Sequence, residues 1–305
     1  MSDFTSNFWS VFVTAITIVS ILACLVLLIL TGRSKGIVSG DNTTGHVWDG
    51  DLREMNNPLP GWWVGLFVMT IVFAFVYLAL YPGLGSYAGT FGWTSVAQHQ
   101  AEVDKGNAEV APLYARFSAM KPEELAGDKP AMAVGERLFM NNCAPCHGSD
   151  ARGNKGIPNL TDADWLHGGT PAKIKETLTL GRIGLMPPMA AAVGTADDVK
   201  NVAQYVLSLS GSPHDSVRAA LGKSKFTVCA ACHGGDGKGM QALGSANLTD
   251  NIWLHGYGEA AIVAMINNGK TNQMPAQAGK LSEAQIHVLT AYVWGLSNRP
   301  AASVQ

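Results

Sequence analysis

The pattern Cys-x-x-Cys-His occurs twice in this chain, once ending at His147 and again at His233. Two thiols about one helical turn apart can add to the two vinyl groups of one porphyrin, and the adjacent imidazole can then bind the iron. The spacing therefore predicts two covalently attached c-type haems. Their attachment residues are Cys143, Cys146 and His147 in the first pattern and Cys229, Cys232 and His233 in the second.

Three other kinds of site use paired cysteines. A zinc site would use the four thiolates and would not require a histidine after each pair. A thioredoxin-like redox pair needs a strand–helix context that these segments do not indicate. Thiols three residues apart on a helix rarely meet disulfide geometry. Haem attachment is the interpretation that uses every residue of both patterns, and two haems on one chain indicate electron transfer.

Two long stretches of the chain carry no charge. Of the 305 residues, 47% are hydrophobic and only 14% are charged, which is too apolar for an ordinary soluble protein of this size. The excess lies in residues 8–30 and 62–81, and each stretch is long enough to cross a bilayer as a helix. We therefore expect two transmembrane helices in contact with the lipid bilayer.

Charges beside these spans predict their orientation. Arg33, Lys35 and Arg53 lie between the spans, whereas only Asp3 precedes the first, so the connecting loop is expected in the cytoplasm and both termini on the other side. This agrees with the attachment of c-type haem outside the cytoplasmic membrane. The net charge of −2, without any run of Lys or Arg, argues against a nucleic-acid partner.

One face of the first span is smaller and more polar than the rest. It consists of Ser10, Thr14, Thr17, Ile21 and Cys24. Such a stripe favours contact with a helix of a partner subunit in lipid, although Ser and Thr side chains can also bond their own backbone.

The two haem patterns belong to a longer internal repeat. At an offset of 88 residues the matched segments are Asn159–Thr161 with Asn247–Thr249, Trp165–His167 with Trp253–His255, and Met186–Pro187 with Met274–Pro275. Self-similarity over about seventy residues indicates two copies of one small domain. Each copy is predicted as a helix before the cysteines, a glycine-rich loop, a middle helix, a methionine loop and a closing helix.

The expected fold is therefore all-α, with two N-terminal transmembrane helices followed by two tandem class I cytochrome c-type domains, and no strand is expected after Met132. The membrane anchor and its loop should occupy residues 1–90. A solvated helical linker should follow at residues 91–130, then the first cytochrome c domain at residues 131–212 and the second at residues 213–305.

Each haem iron needs a second axial ligand besides its histidine. Met186 and Met274 hold the same position in the repeat, and each precedes a proline. A thioether favours ferrous iron and closes the coordination sphere, which suits an electron carrier. Core packing is the alternative role for both. The similar spacings leave open whether each methionine serves the haem of its own copy or that of the other copy.

Pro158, Trp165 and Trp253 are expected around the haems. Pro158 is placed to accept a hydrogen bond from His147, which would fix the imidazole ring. The second copy has Ala246 in its place, which predicts a looser loop and a different haem potential. The two tryptophans are expected to pack against the haem edges.

Two basic residues each lie four positions before a methionine, namely Arg182 and Lys270. They could pair with the anionic haem propionates or be ordinary exposed bases. His167 and His255 also match in the repeat, and we expect polar structural contacts rather than iron ligation from them.

Three segments around the spans carry a resemblance to a known family. They are Trp48-Asp49-Gly50, residues 57–63, and Tyr81-Pro82-Gly83 after the second span. Together with the haem patterns and the Met-Pro loops, they resemble the diheme subunit III of cbb3-type cytochrome c oxidases over nearly the whole chain.

The resemblance implies a bacterial inner-membrane protein whose haem domains and termini are periplasmic. Such a subunit accepts electrons from a periplasmic donor cytochrome c and relays them to the monohaem cytochrome c subunit, which feeds the catalytic haem-copper subunit in aerobic respiration. The isolated chain would then be a non-catalytic electron-transfer subunit of an oxidoreductase complex rather than an enzyme.

Two other classes of protein fit part of this pattern. One is a membrane-tethered diheme cytochrome c that shuttles between respiratory complexes, which mild detergent would release alone. The other is a diheme peroxidase or the cytochrome subunit of a periplasmic dehydrogenase. A peroxidase needs one haem with an open face, against which the paired methionines argue, and nothing resembles a dehydrogenase active site.

Overall fold

The computed structural model describes residue 4, residues 6–33, residue 40 and residues 42–298. It divides into two compact units, Met1–Glu109 and Val110–Gln305. Asp3 and Lys35, which entered the prediction of orientation, lie outside the described residues, as does the side chain of Arg33. The orientation of the spans therefore stays a prediction.

The first unit contains two helices long and apolar enough to cross a membrane, α1 (Asn7–Arg33) and α2 (Gly61–Leu80). Almost none of their side chains is buried inside the chain, as expected of helices that face lipid. Between them lies an antiparallel hairpin of β1 (Thr43–Trp48) and β2 (Leu52–Met55).

The polar stripe of α1 makes contacts within its own chain. Ser10 is buried, and its hydroxyl oxygen accepts a hydrogen bond of 2.8 Å from the backbone N–H of Ser86, in the loop after α2. Thr14 donates its hydroxyl to the Ser10 carbonyl at 2.9 Å. Of the two roles considered for the stripe, bonding to its own backbone occurs at its N-terminal end, contact with a partner subunit stays a prediction, and Cys24 farther along is exposed.

The second unit is mainly helical. Its linker consists of α3 (Ser95–Ser118), which begins in the first unit, and α4 (Pro122–Leu125). The remaining elements are α5 (Lys129–Asn142), α6 (Ala144–His147), α7 (Pro171–Leu180), β3 (Arg182–Met186), α8 (Ala190–Val193), α9 (Ala196–Leu209), α10 (Ser216–Lys225), α11 (Thr227–His233), α12 (Glu259–Asn268), β4 (Lys270–Met274) and α13 (Glu283–Asn298).

Side-chain caps fix where several of these helices begin. The Asp128 carboxylate accepts the backbone N–H of Ala131 at the start of α5, and Asp215 caps α10 in the same way. Thr195 and Asp198 form a reciprocal capping box on α9. Each cap satisfies backbone donors that the first helical turn leaves free.

The all-α expectation is wrong in detail, because the described residues include two short ribbons. In the second, β3 pairs antiparallel with β4, with Arg182 opposite Met274 and Met186 opposite Lys270. Each strand has five residues and lies in a loop between a helix and a proline, so it is too short to show a strand periodicity in the sequence. Pairing the two loops satisfies backbone groups that neither loop could satisfy alone.

The hydrophobic cores of the second unit combine helices from both copies of the repeat. One core contains Phe139 of α5, Ile174 and Leu178 of α7, and Leu289 and Val293 of α13. We call it the first core, because Cys143 packs against it. The closing helix of the second copy therefore packs on the opening helix of the first.

The other core, called the second core, shows the reciprocal exchange. It contains Val202 and Val206 of α9, Phe226 after α10, and Ile262 and Ile266 of α12, with Cys229 packed against it. A connection of only residues 210–215 joins α9 to α10, so the two helices pack as antiparallel neighbours. Each core thus combines residues from both sides of the boundary expected between residues 212 and 213. The domain bounds themselves stay a prediction.

The linker is less solvated than expected. Its end packs on α13 through Phe117 and Leu125, which are fully buried with Val288 in a third core. His287 of the same helix donates its Nε2 N–H to the Met120 carbonyl at 2.9 Å. This docking ties the linker to the first core.

Candidate functional site

Each Cys-x-x-Cys-His pattern lies on a short helix that follows a longer one. In the first copy α6 continues from α5, and the backbone N–H of Cys143 bonds the Phe139 carbonyl at 2.7 Å. In the second copy α11 holds the whole pattern. On a helix, residues three and four positions apart share one face, which places each pair of thiols and its histidine on one side of the chain.

The two histidines are oriented by backbone carbonyls. His147 Nδ1 lies 3.0 Å from the Pro158 carbonyl oxygen, and His233 Nδ1 lies 2.9 Å from that of Ala246. Because a carbonyl only accepts, Nδ1 carries the proton in both rings. Nε2 is then left with a lone pair for a metal, as in other histidine–metal sites with a second hydrogen bond.

The role expected for Pro158 is therefore matched in the second copy by Ala246, although the sequence predicted a looser loop there. Two glycines close these loops, since the Gly153 N–H donates to the His147 carbonyl at 2.7 Å and the Gly239 N–H to the His233 carbonyl at 2.8 Å. A Cβ on Gly153 would meet the Pro158 carbonyl. The acceptor is a backbone carbonyl oxygen, which every residue type has. The position in the repeat therefore predicts the acceptor in both copies, whereas the residue type does not.

The thiols differ in environment within each pair. Cys143 and Cys229 are half-buried against their cores, whereas Cys146 and Cys232 are exposed. Burial, reinforced by the neighbouring Cys146, raises the pKa of Cys143 to about 11, and burial likewise raises the pKa of Cys229. Burial also lowers the pKa of His147, against the opposing bond to Pro158. At the first site the free chain thus holds the protonated Cys143 thiol close to the neutral imidazole of His147.

The methionine loops cross between the copies. Met274 belongs to the second copy but packs against the first core, beside Leu160 and Cys143. The Gln277 N–H that follows it donates to the Leu178 carbonyl of α7 at 2.9 Å. At the matching position of the first copy, the backbone N–H of Met189 donates to the Ile266 carbonyl of α12 at 2.8 Å. Each methionine loop therefore lies against the middle helix of the other copy.

The two tryptophans stay with their own copies. Trp165 packs against the first core and Trp253 against the second, where its ring meets Tyr257 edge-on at 5.6 Å. The two bases differ from one another, because Arg182 is half-buried beside Glu176 whereas Lys270 is exposed. These positions are compatible with the haem environment that the sequence predicted.

His167 and His255 lie at the contact between the copies. A Cβ on Gly244 would overlap the His167 ring. His255 is 3.2 Å from the Asn272 side-chain nitrogen. Burial is the main cause that lowers the pKa of both histidines, followed by Arg182 for His167 and by Lys270 for His255. These contacts agree with the structural role expected of them.

The residues present fit a c-type haem at each site. Each site offers two thiols, an imidazole with its Nε2 lone pair free and an apolar core, and at the first core Met274 packs against the same cluster as Cys143. The first site also has a buried guanidinium nitrogen, Arg182 Nη2, without a hydrogen-bond partner among the described residues. An anionic substituent of a bound cofactor would satisfy it.

Two family models match this chain. Residues 40–88 match the model described as the N-terminal domain of cytochrome oxidase-cbb3, FixP. Residues 130–206 and 219–293 match the model described as Cytochrome C oxidase, cbb3-type, subunit III. The second model thus matches each copy of the repeat once, and the first covers the hairpin and α2.

Several relatives are similar over most of their length. The cbb3-type cytochrome c oxidase subunit CcoP of Rubrivivax gelatinosus is 68% identical over 97% of this chain and 97% of that protein. Subunit FixP of Azorhizobium caulinodans is 43% identical over 83% of this chain and 92% of the relative. Subunit FixP of Bradyrhizobium diazoefficiens is 42% identical over 85% of this chain and 96% of the relative. The similarity therefore includes the anchor and both copies.

Proposed function

The chain belongs to the family of cbb3-type cytochrome c oxidase subunit III, the CcoP and FixP proteins, and from this membership we propose a specific path for its electrons. The chain accepts them from a periplasmic donor cytochrome c. It delivers them to the monohaem cytochrome c subunit, which feeds the catalytic haem-copper subunit. The observation that carries the proposal is the pair of histidines oriented by backbone carbonyls, together with the two methionine-bearing strands that pair with each other.

We assign the ligands of the two haem sites across the copies. Cys143, Cys146 and His147 would hold one haem, with Met274 as second axial ligand. Cys229, Cys232 and His233 would hold the other, with Met186. The packing of Met274 on the first core supports this exchange, as do the reciprocal backbone bonds of Gln277 and Met189. A bound haem supplies a one-electron iron couple at each site.

The chain's own residues would keep both sites closed to substrates. The carbonyls of Pro158 and Ala246 hold the imidazoles in one orientation. The paired β3 and β4 strands fix the two methionines at opposite ends of one ribbon. Because every axial position is then filled by a side chain, we propose that the isolated chain transfers electrons and does not catalyse a reaction of its own.

We further propose that α1 and α2 cross the bacterial inner membrane and that the haem sites are periplasmic. The basic residues between the spans support this orientation, including Arg53 of the β1–β2 hairpin. Covalent haem attachment outside the cytoplasm gives an independent reason for it.

Purification in mild detergent tests the proposal. We expect the chain to co-purify with the haem-copper and monohaem subunits and to keep two haems after acid denaturation and extraction into organic solvent. The matched control replaces Cys143 and Cys146 with Ala, which should remove one covalent haem. Recovery of this polypeptide alone would favour the tethered shuttle, and release of all its haem into the solvent would contradict covalent attachment.

A further inference from the structure

The base before the methionine is held differently in the two copies. In the first, Arg182 Nη1 donates to Glu176 Oε1 at 2.7 Å, and Arg182 Nε donates to Thr177 Oγ1 at 2.9 Å. Glu176 Oε2 also accepts from Lys173 at 2.8 Å. Two neighbouring residues of α7 therefore fix the plane of the Arg182 guanidinium.

One nitrogen of this guanidinium lacks an acceptor. Arg182 Nη2 is buried and has no hydrogen-bond partner among the residues that the structure describes. Burying a donor of a charged group without a hydrogen-bond partner is unfavourable, so an acceptor at this position would stabilise the site. The guanidinium lines a cavity of about 620 Å³ together with His167, Lys173 and Trp294. Basic groups outnumber the single carboxylate there, which suits an anion.

The position of Arg182 relates it to the first haem site. It lies opposite Met274 in the ribbon, and Met274 packs on the first core. Trp294, which lines the cavity, packs against the same core. Cys143 packs against this core too, and a propionate is the anionic group that a haem attached there would offer to Arg182.

The second copy lacks this arrangement. The residues that match Lys173, Glu176 and Thr177 are Ala261, Ala264 and Met265. Lys270, the counterpart of Arg182, is exposed. An exposed ammonium is screened by water and salt, so its effect on a nearby charge is small.

We propose that Arg182, oriented by Glu176 and Thr177, binds a propionate of the first haem and raises its reduction potential, and that the second haem has no equivalent anchor. A half-buried positive charge favours the reduced, less positive state of the site, whereas an exposed lysine has little influence. The inference rests on the proposed function, because it requires covalent haem. Glu176 and Thr177 are positioning residues for Arg182.

The test is a redox titration of the purified holo-complex in detergent, followed by the absorption of its c-type haems. All chains carry Cys146→Ala. This replaces an exposed thiol and leaves one vinyl group of the first haem unreacted, which moves the absorption of that haem to longer wavelength. The first haem is thereby marked while both haems are retained.

Arg182→Gln is expected to lower the potential of the marked haem and leave the other unchanged. Glu176→Gln keeps an oxygen acceptor for Arg182 but removes a negative charge, so it should raise the potential of the marked haem. Lys270→Gln should leave both potentials nearly unchanged. The matched control is Lys175→Gln on the same helix, because Lys175 pairs with Glu283 rather than with Arg182.

Unchanged potentials in Arg182→Gln, or an equal shift of the unmarked haem in Lys270→Gln, would overturn the inference. If the Arg182→Gln chain loses the marked haem, the Glu176→Gln chain takes its place in the test. A higher potential of the marked haem in that chain supports the inference, and an unchanged potential overturns it. A parent chain without covalent haem would refute the proposed function as well. If both haems are attached but Arg182→Gln leaves their potentials unchanged, only the bond between Arg182 and the propionate is refuted.

Discussion

A Cβ atom on Gly135 would lie 2.7 Å from Cβ of Tyr292, so the Tyr292 side chain of the last helix packs directly on the backbone of the helix before the first haem pattern. In the second copy Gly222, which like Gly135 lies four residues before a buried phenylalanine, comes still closer to its neighbour, the backbone of Asn201 on α9. These two crossings join the opening helix of each copy to the closing helix of the other. The exchange of helices therefore depends on a residue without a side chain at each crossing.

Gly135→Ala should destabilise the first haem site although alanine favours helices. The added methyl group has no room against Tyr292, and overpacking of this kind costs about 1–3 kcal/mol. The measurement is the urea concentration at which the first site loses its methionine ligand. Gly106→Ala, in α3 with nothing within 4 Å, is the matched control and should leave that midpoint unchanged or raised. Equal midpoints for the two variants would contradict the close crossing.

Gly85→Ala should loosen the membrane anchor. Gly85 has a φ of +58° and lies against the Ser10 carbonyl and hydroxyl, so a methyl group would displace the Ser86–Ser10 hydrogen bonds. The added clash should cost about 1–3 kcal/mol beyond the backbone strain. Gly92→Ala shares that strain, with φ +57° and open space around it, and is the matched control. Thermal unfolding in detergent should separate the variants, and an equal loss in both would refute this contact.

The contact between the copies should weaken on mild acidification. Burial, Arg182 and Lys173 lower the pKa of His167, and Glu176 partly opposes them. The unfolded chain therefore takes up a proton near the ordinary histidine pKa of about 6.5, while the folded chain does so at lower pH. The stability from neutral His167 is complete above that value and is lost as the pH falls below it towards the folded pKa.

Urea unfolding at pH 7.5 and pH 5.5 measures this dependence. His167→Gln should show a smaller loss between the two conditions than the parent chain, because it removes the group that titrates. His255, whose pKa is also lowered, remains in both chains and sets a common background. An unchanged difference between the two conditions would mean that His167 does not contribute.

Periodicity predicted most helices because the spacing of apolar residues along a helix is a local property, whereas the haem ligands stay a prediction. The closing helix predicted for the first copy is present as α9 (Ala196–Leu209), and α1 and α2 differ from the expected spans by a few residues at most. Family membership and the role as an oxidase subunit, expected from the anchor residues, were confirmed by the relatives.

The exchange between the copies could not be derived from the repeat itself. Two identical domains with exchanged closing helices have the same pattern of apolar residues as two separate ones. The short connection at residues 210–215 was the available signal, since it forces α9 and α10 to pack together. The support of Arg182 by Glu176 and Thr177 was likewise absent from the predictions, because the second copy does not repeat it.

The central claim is that two haems are closed by methionines exchanged between the copies, and carbon monoxide binding by the reduced protein tests it most directly. In the Cys146→Ala chain, whose first haem is spectrally marked, Met274→Leu should let carbon monoxide bind the marked haem. Met186→Leu should open only the unmarked one. The reverse assignment would contradict the exchange, and carbon monoxide binding at either haem with both methionines intact would contradict the closed electron carrier.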